Sequence, residues 1–196
     1  MRTLLTLGLA LGLLAAPLAA AEPTETQILF QPKNLLPAHG GPGIKWANFG
    51  AAGGVLMGGE GSVVLSPSVG LGVGGWSLAS ELLVPGSAVD RDLGLSYGGA
   101  VMHYNFFSRR LYYFDLSMLG GAGQAWSVFR KIGAQRQYAG FGVLEPELAC
   151  TLNVTREFRA SLGVGQRLFL GDDLAGRLGS DLNGYTLTLL LWYGKI

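Results

Sequence analysis

The sequence predicts an all-β protein, an eight-stranded antiparallel up-and-down transmembrane β-barrel with short turns at one end and longer loops at the other. Three observations predict it. The chain is apolar overall, with a mean hydropathy of +0.35, yet beyond its first residues it carries no second long hydrophobic run. Apolar and polar residues instead alternate over segments of ten or more residues, longer than the ~5–6 of soluble sheets and suited to tilted membrane strands of ~9–11. Brief and extended polar connections alternate between those segments.

The N-terminus sets the compartment. Arg2 supplies a positive start, Leu4 to Leu14 form a short apolar run, and Ala19 and Ala21 place small residues at −3 and −1. That order is a secretory signal over residues 1–21, cleaved between Ala21 and Glu22; the run is too short to span a membrane as a helix. Residues 22–40, interrupted by Pro23, Pro32 and Pro37, read as a periplasmic leader, and 41–196 as the barrel domain. Cys150 is the sole cysteine, which excludes an intrachain disulfide and a lipid-anchoring cysteine near the cleavage site. The formal net charge of +1 gives no basic face for nucleic acid.

The strands follow in order. Segments 41–48 and 49–65 are glycine-rich, the second ending in Val63 and Leu65. Val69, Leu71 and Val73 open the third, 68–79. In 92–107, Ala100, Met102, Tyr104 and Phe106 alternate with Val101, His103 and Asn105. In 110–126, Tyr112, Phe114, Leu116 and Met118 alternate with Tyr113, Asp115, Ser117 and Leu119. The clearest segment is 139–154, where Leu144, Pro146, Leu148, Cys150, Leu152 and Val154 oppose Glu145, Glu147, Ala149, Thr151 and Asn153. In 158–170, Phe158, Ala160, Leu162 and Val164 oppose Arg159, Ser161, Gly163 and Gly165, with Arg167 continuing the polar face. The last, 184–195, is apolar on both faces and leaves its facing open. A pleated strand sends the two sets to opposite faces. In a membrane barrel the apolar set meets lipid and the polar set fills the lumen; a soluble barrel would invert them.

Ser66-Pro67-Ser68, Ser108-Arg109 and Thr155-Arg156-Glu157 read as tight turns; 79–92, 127–138 and 171–183 read as long connections. An even strand count places both termini and the short turns on the periplasmic side. Glycine weakens strands, so the crowding of Gly53, Gly54, Gly58, Gly59 and Gly61 beside Gly70, Gly72, Gly74 and Gly75 points to geometry. Positions without side chains let large neighbours such as Arg167 or Tyr113 fit across a narrow lumen. Trp46, Phe49, Trp76, Tyr104, Phe106, Tyr112, Trp126, Tyr138, Phe141, Trp192 and Tyr193 lie mostly near strand ends, where aromatic girdles form.

The runs IKWANFGAAGGVLMGGEGSVVL, LGLSYGGAVMHYNFF and VLEPELACTLNVTREFRASLGVGQR resemble an uncharacterised group of bacterial outer-membrane β-barrel proteins. Tyr97-Gly98-Gly99, Glu145-Pro146-Glu147 and Asn153-Val154-Thr155-Arg156 carry most of the likeness, which spans roughly 40–196. It implies an eight-stranded barrel of the size of OmpA and OmpX and no particular activity. Such chains usually end in an aromatic residue; this one ends in Ile196, with Trp192 and Tyr193 just before.

Candidate chemistry sits on the polar faces. His103, Asp115, Glu145, Glu147, Arg167 and Glu60, with Lys45 beside them, are expected to form a luminal polar network rather than a catalytic site. Apolar residues already face lipid, and an unpaired charge inside costs several kcal/mol. The enzymatic alternative, a lipid A-modifying hydrolase or acyltransferase, would set His103 against a carboxylate and a hydroxyl such as Ser96 or Ser161. A second alternative is a soluble, lipocalin-like periplasmic binder of apolar ligands. His39 and His103 lack metal-ligand spacing, and the Asp172-Asp173, Asp181, Asn183 cluster reads as a solvated loop. No cofactor is expected. The expected location is the outer membrane, and the expected partners are its lipid and lipopolysaccharide and the barrel-assembly machinery.

Overall fold

The computed structural model describes residues 38–50, 52–79, 82–83, 91–129, 136–171 and 182–194. Eight long strands make up the fold: β1 Ala38–Phe49, β2 Ala52–Ser66, β3 Val69–Leu78, β4 Arg91–Phe106, β5 Tyr112–Phe129, β6 Arg136–Asn153, β7 Phe158–Leu170 and β8 Gly184–Gly194. A two-residue ladder, Leu82–Leu83, extends the sheet beside Asp92 and Leu93. Each strand pairs antiparallel with the next, and β8 returns to β1 from His39↔Gly194 to Ala47↔Thr186. The sheet is therefore a closed eight-stranded barrel, which leaves no edge along its wall.

The sequence-derived strands lie within a few residues of these. Strand β1 takes in Ala38, His39 and Gly40, which the composition had left with the leader. The first hairpin turns at Gly50, whose φ of 59° is the left-handed conformation that glycine adopts without strain. The turn after β4 is wider than Ser108-Arg109 and runs from Phe107 to Leu111; Phe107 itself has φ 59°. The signal, its cleavage site Ala21/Glu22, residues 22–37, and Asp172, Asp173 and Asp181 lie outside the described residues.

The two faces separate by parity. Leu144, Leu148, Cys150, Leu152, Tyr112, Phe114, Leu116, Met118, Leu162, Val164, Met102 and Tyr104 are exposed on the outside. Glu145, Thr151, Asn153, Tyr113, Arg159, Ser161, Arg167, His103 and Asn105 are buried inside. The last strand, ambiguous in sequence, follows the same rule: Tyr185, Leu187, Leu189, Leu191 and Tyr193 point out, and Thr186, Thr188, Leu190 and Trp192 point in. Four aromatics of the expected girdle are corrected here. Phe49, Trp76 and Trp192 are buried in the interior and Phe141 packs against that core, because they share parity with luminal Lys45, Gly74, Thr188 and Glu145.

Inward glycines make that filling possible. A Cβ on Gly43 would meet the Trp76 ring at 2.8 Å, one on Gly74 would meet Glu60 Cγ at 3.0 Å, and one on Gly163 would run into the Glu147 carboxylate. The interior holds large side chains at close packing because the facing wall positions carry none.

Candidate functional site

The lumen holds polar side chains organised around Glu145 on β6, packed among buried Leu56, Leu95, Val101, Leu119 and Val143. Its Oε1 accepts from Lys45 Nζ of β1 at 2.8 Å and from Thr186 Oγ1 of β8 at 3.2 Å. Its Oε2 accepts from Tyr97 Oη of β4 at 2.7 Å. One carboxylate thus ties three other strands across the barrel. Lys45, 2% exposed, also lies 3.8 Å from Glu147 Oε2 and 4.1 Å above the Trp76 ring. Glu147 in turn accepts from Thr188 Oγ1 at 2.5 Å.

Below this layer sits His103 on β4. Its Nδ1 is 3.2 Å from Asp115 Oδ2 of β5, and its Nε2 is 3.7 Å from Glu60 Oε2 of β2. Glu60 reaches over β3 because Gly74 offers no side chain in between. A second histidine, His39, lies 2.8 Å from Ser62 Oγ through Nε2. Both imidazoles meet the Trp192 ring edge-on, at centroid distances of 4.8 and 5.6 Å. Trp192 Nε1 donates to Ser161 Oγ at 2.9 Å, and that hydroxyl shares a 2.6 Å bond with Thr151.

Arg167, fully buried on β7, closes the end of the lumen beside Asn48 and Leu182. Its Nε and Nη2 donate to the Leu182 carbonyl at 3.2 and 3.1 Å, and Nη2 also donates to Asn48 O at 3.1 Å. Phe49 and Phe169 flank the guanidinium at 4.3 and 5.2 Å. Of the six residues proposed from sequence, Glu145 and Glu147 share Lys45, and His103 joins Asp115 to Glu60. Arg167 makes none of its hydrogen bonds to a carboxylate.

Arg159 is inside, as its place on the polar face predicts; sequence reasoning missed Tyr97, Thr186 and Thr188 as luminal partners. The two threonines were within reach of it: in a strand apolar on both faces, they mark the polar parity. Chemically the arrangement is one of bracing. Ser96 lies on the opposite face of β4 from His103, seven residues away, and Ser161 is held by Trp192 and Thr151. The seryl contact shown is on His39, and the carboxylate contacts of Asp115 and Glu60 are on His103. Among the described residues no group of three His, Cys, Asp or Glu side chains could hold a metal.

No family profile matches the chain, and no curated protein matches it in sequence. Solved structures do. Neisserial surface protein A superposes with a TM-score of 0.63 at 11% identity, covering 81% of this chain and 97% of that one. Ail, the attachment invasion locus protein of Yersinia pestis, solved with the heparin analogue sucrose octasulfate, gives 0.50 at 13%, covering 81% and 99%. The chain therefore has the fold of the small eight-stranded outer-membrane barrels.

Proposed function

We propose that this chain is a non-enzymatic outer-membrane protein whose barrel is held rigid from within and whose outer connections meet partners. The carrying observation is the sidedness of the wall. Leu, Val, Met, Phe and Tyr cover the outside, and Lys45, Glu145, His103, Arg159 and Arg167 are buried inside. In water that arrangement would expose the apolar wall and bury the charges; in a bilayer both faces are satisfied. Exposed Trp46, Tyr104, Tyr112, Tyr138, Tyr185 and Tyr193 supply the interfacial aromatics. Shallow outer grooves of about 380 and 510 Å³, around Gly53 and around Gly40 and Gly61, suit acyl chains lying against the wall.

Fractionation tests the proposal. The protein should partition with the outer membrane and migrate differently in detergent gels before and after boiling. Recovery in the soluble periplasm would overturn it in favour of the lipocalin-like alternative, which the charged, side-chain-filled lumen does not suit. The lipid A-modifying alternative depends on His103; lipid A left unchanged by His103→Ala would remove it.

A further inference from the structure

We infer that the periplasmic rim is a docking surface for acidic phospholipid headgroups of the inner leaflet, built from Arg109, Arg110 and Arg156. The inference rests on the outer-membrane orientation proposed above, with the short turns facing the periplasm. Arg109 and Arg156 are exposed and Arg110 is half-buried. The carboxylate beside them, Glu157, is buried, so among the described residues of these turns the accessible charge is all positive.

The turns that carry these arginines are fastened to one another. Arg110 N donates to Phe107 O at 3.0 Å, closing the turn after β4. Ser108 Oγ donates to Pro67 O at 2.8 Å, joining it to the turn after β2. Asn153, 1% exposed, donates its Nδ2 to Arg110 O at 2.6 Å and to Ser108 O at 3.4 Å, and its N–H to Leu111 O at 2.8 Å. That last residue of β6 leads directly into the turn bearing Arg156. Three guanidiniums thus project from one pinned edge, which lowers the entropy cost of holding a ligand among them.

Depth then selects the ligand. Outward Tyr104 and Tyr112 lie on the strands just before and after the Phe107–Leu111 turn, and Tyr104 meets Phe106 edge-on at 4.8 Å. Such aromatics sit at headgroup level. The arginines lie a few residues further out, at the depth of the lipid phosphates. The Arg110 guanidinium carbon lies 4.7 Å from the Phe107 ring centroid, and a guanidinium held at an aromatic face can still give phosphate the bidentate contact of its in-plane donors. A zwitterionic headgroup brings its own ammonium to the same place; phosphatidylglycerol or cardiolipin does not. Each arginine should favour the acidic lipid about fivefold.

The test is native mass spectrometry of the full barrel released from bilayers of mixed phosphatidylethanolamine and phosphatidylglycerol. The wild type should retain phosphatidylglycerol in excess, and R109Q/R110Q/R156Q should lose that excess by roughly tenfold or more, with heat-modifiable migration unchanged. If the triple variant does not fold, R156Q alone should show a proportionate drop. Undiminished retention in a folded variant overturns the proposal, as does loss of binding to isolated peptidoglycan with lipid retention intact. Orientation is read separately, by labelling Ser66→Cys in a Cys150→Ser background with an impermeant maleimide. Labelling in intact cells would overturn the orientation; labelling only after permeabilisation, with no lipid preference, would overturn the lipid proposal alone.

Discussion

Two arginines on the same face of β7, eight residues apart, meet opposite fates. Arg167 at one end is fully buried, donates to two backbone carbonyls and lies between two aromatic rings. Arg159 at the other end is 1% exposed and faces the Tyr113 phenol, without the carbonyl acceptors that Arg167 has. Equal burial therefore carries unequal compensation. An ionised group taken out of water is tolerated when fixed dipoles replace its hydration, and it is a liability when they do not. Arg167 is compensated in part, its Nη1 also lacking a hydrogen-bond partner. Arg159 is compensated less.

The reference for a compensated charge is the centre of the barrel. Lys45→Met leaves Glu145 buried with its Tyr97 and Thr186 donors but without its ion-pair partner. Unfolding in urea from lipid vesicles should show a loss of about 3–5 kcal/mol. The Lys45→Met/Glu145→Leu pair should lose much less than the sum of the single changes, because the coupling vanishes with both partners. Arg167→Met comes next. It orphans the Leu182 and Asn48 carbonyls, for about 2–3 kcal/mol, and should quicken proteolysis within 171–183, since Leu182 is tethered through that guanidinium. A loss equal to or below that of the matching change at Arg159 would erase the contrast between the two ends.

How much of this was legible depended on local pattern. Glu145 and Glu147 between Leu144, Pro146 and Leu148 reveal the facing of β6 without any structure, since period-2 alternation is a property of one strand. Strand limits shifted by up to three residues, as at Ala38, where glycine and proline carry no facing signal. Trp76 and Trp192 looked like girdle residues from their places near strand ends. Trp76 points inward where Gly43 vacates the space its ring needs, and Trp192 follows the parity of Thr186, Thr188 and Leu190. Which partner each charge would find was not legible at all. Lys45 and Glu145 are 100 residues apart, and their meeting depends on the stagger of every strand between them. Glu60 reaches His103 across β3 for the same reason.

Arg159→Met is the finest probe of the comparison. Removing a buried cation whose neighbour is the Tyr113 phenol, and filling its volume with an apolar chain, should change stability by under about 1 kcal/mol. One further neighbour complicates the expectation usefully. Glu157, two residues earlier on the same face, has a buried Oε1 that lacks a hydrogen-bond partner. A single water between the two would compensate both at a separation too great for a direct ion pair. The isosteric Glu157→Gln removes the negative charge and leaves the shape, so it separates these cases. If Arg159 draws nothing from that carboxylate, the change should shift the urea midpoint by a few tenths of a kcal/mol at most. A loss of about 1 kcal/mol or more, abolished in the Arg159→Met background, would show that this end is braced through water. The two ends of β7 would then differ in the means of compensation and not in its extent.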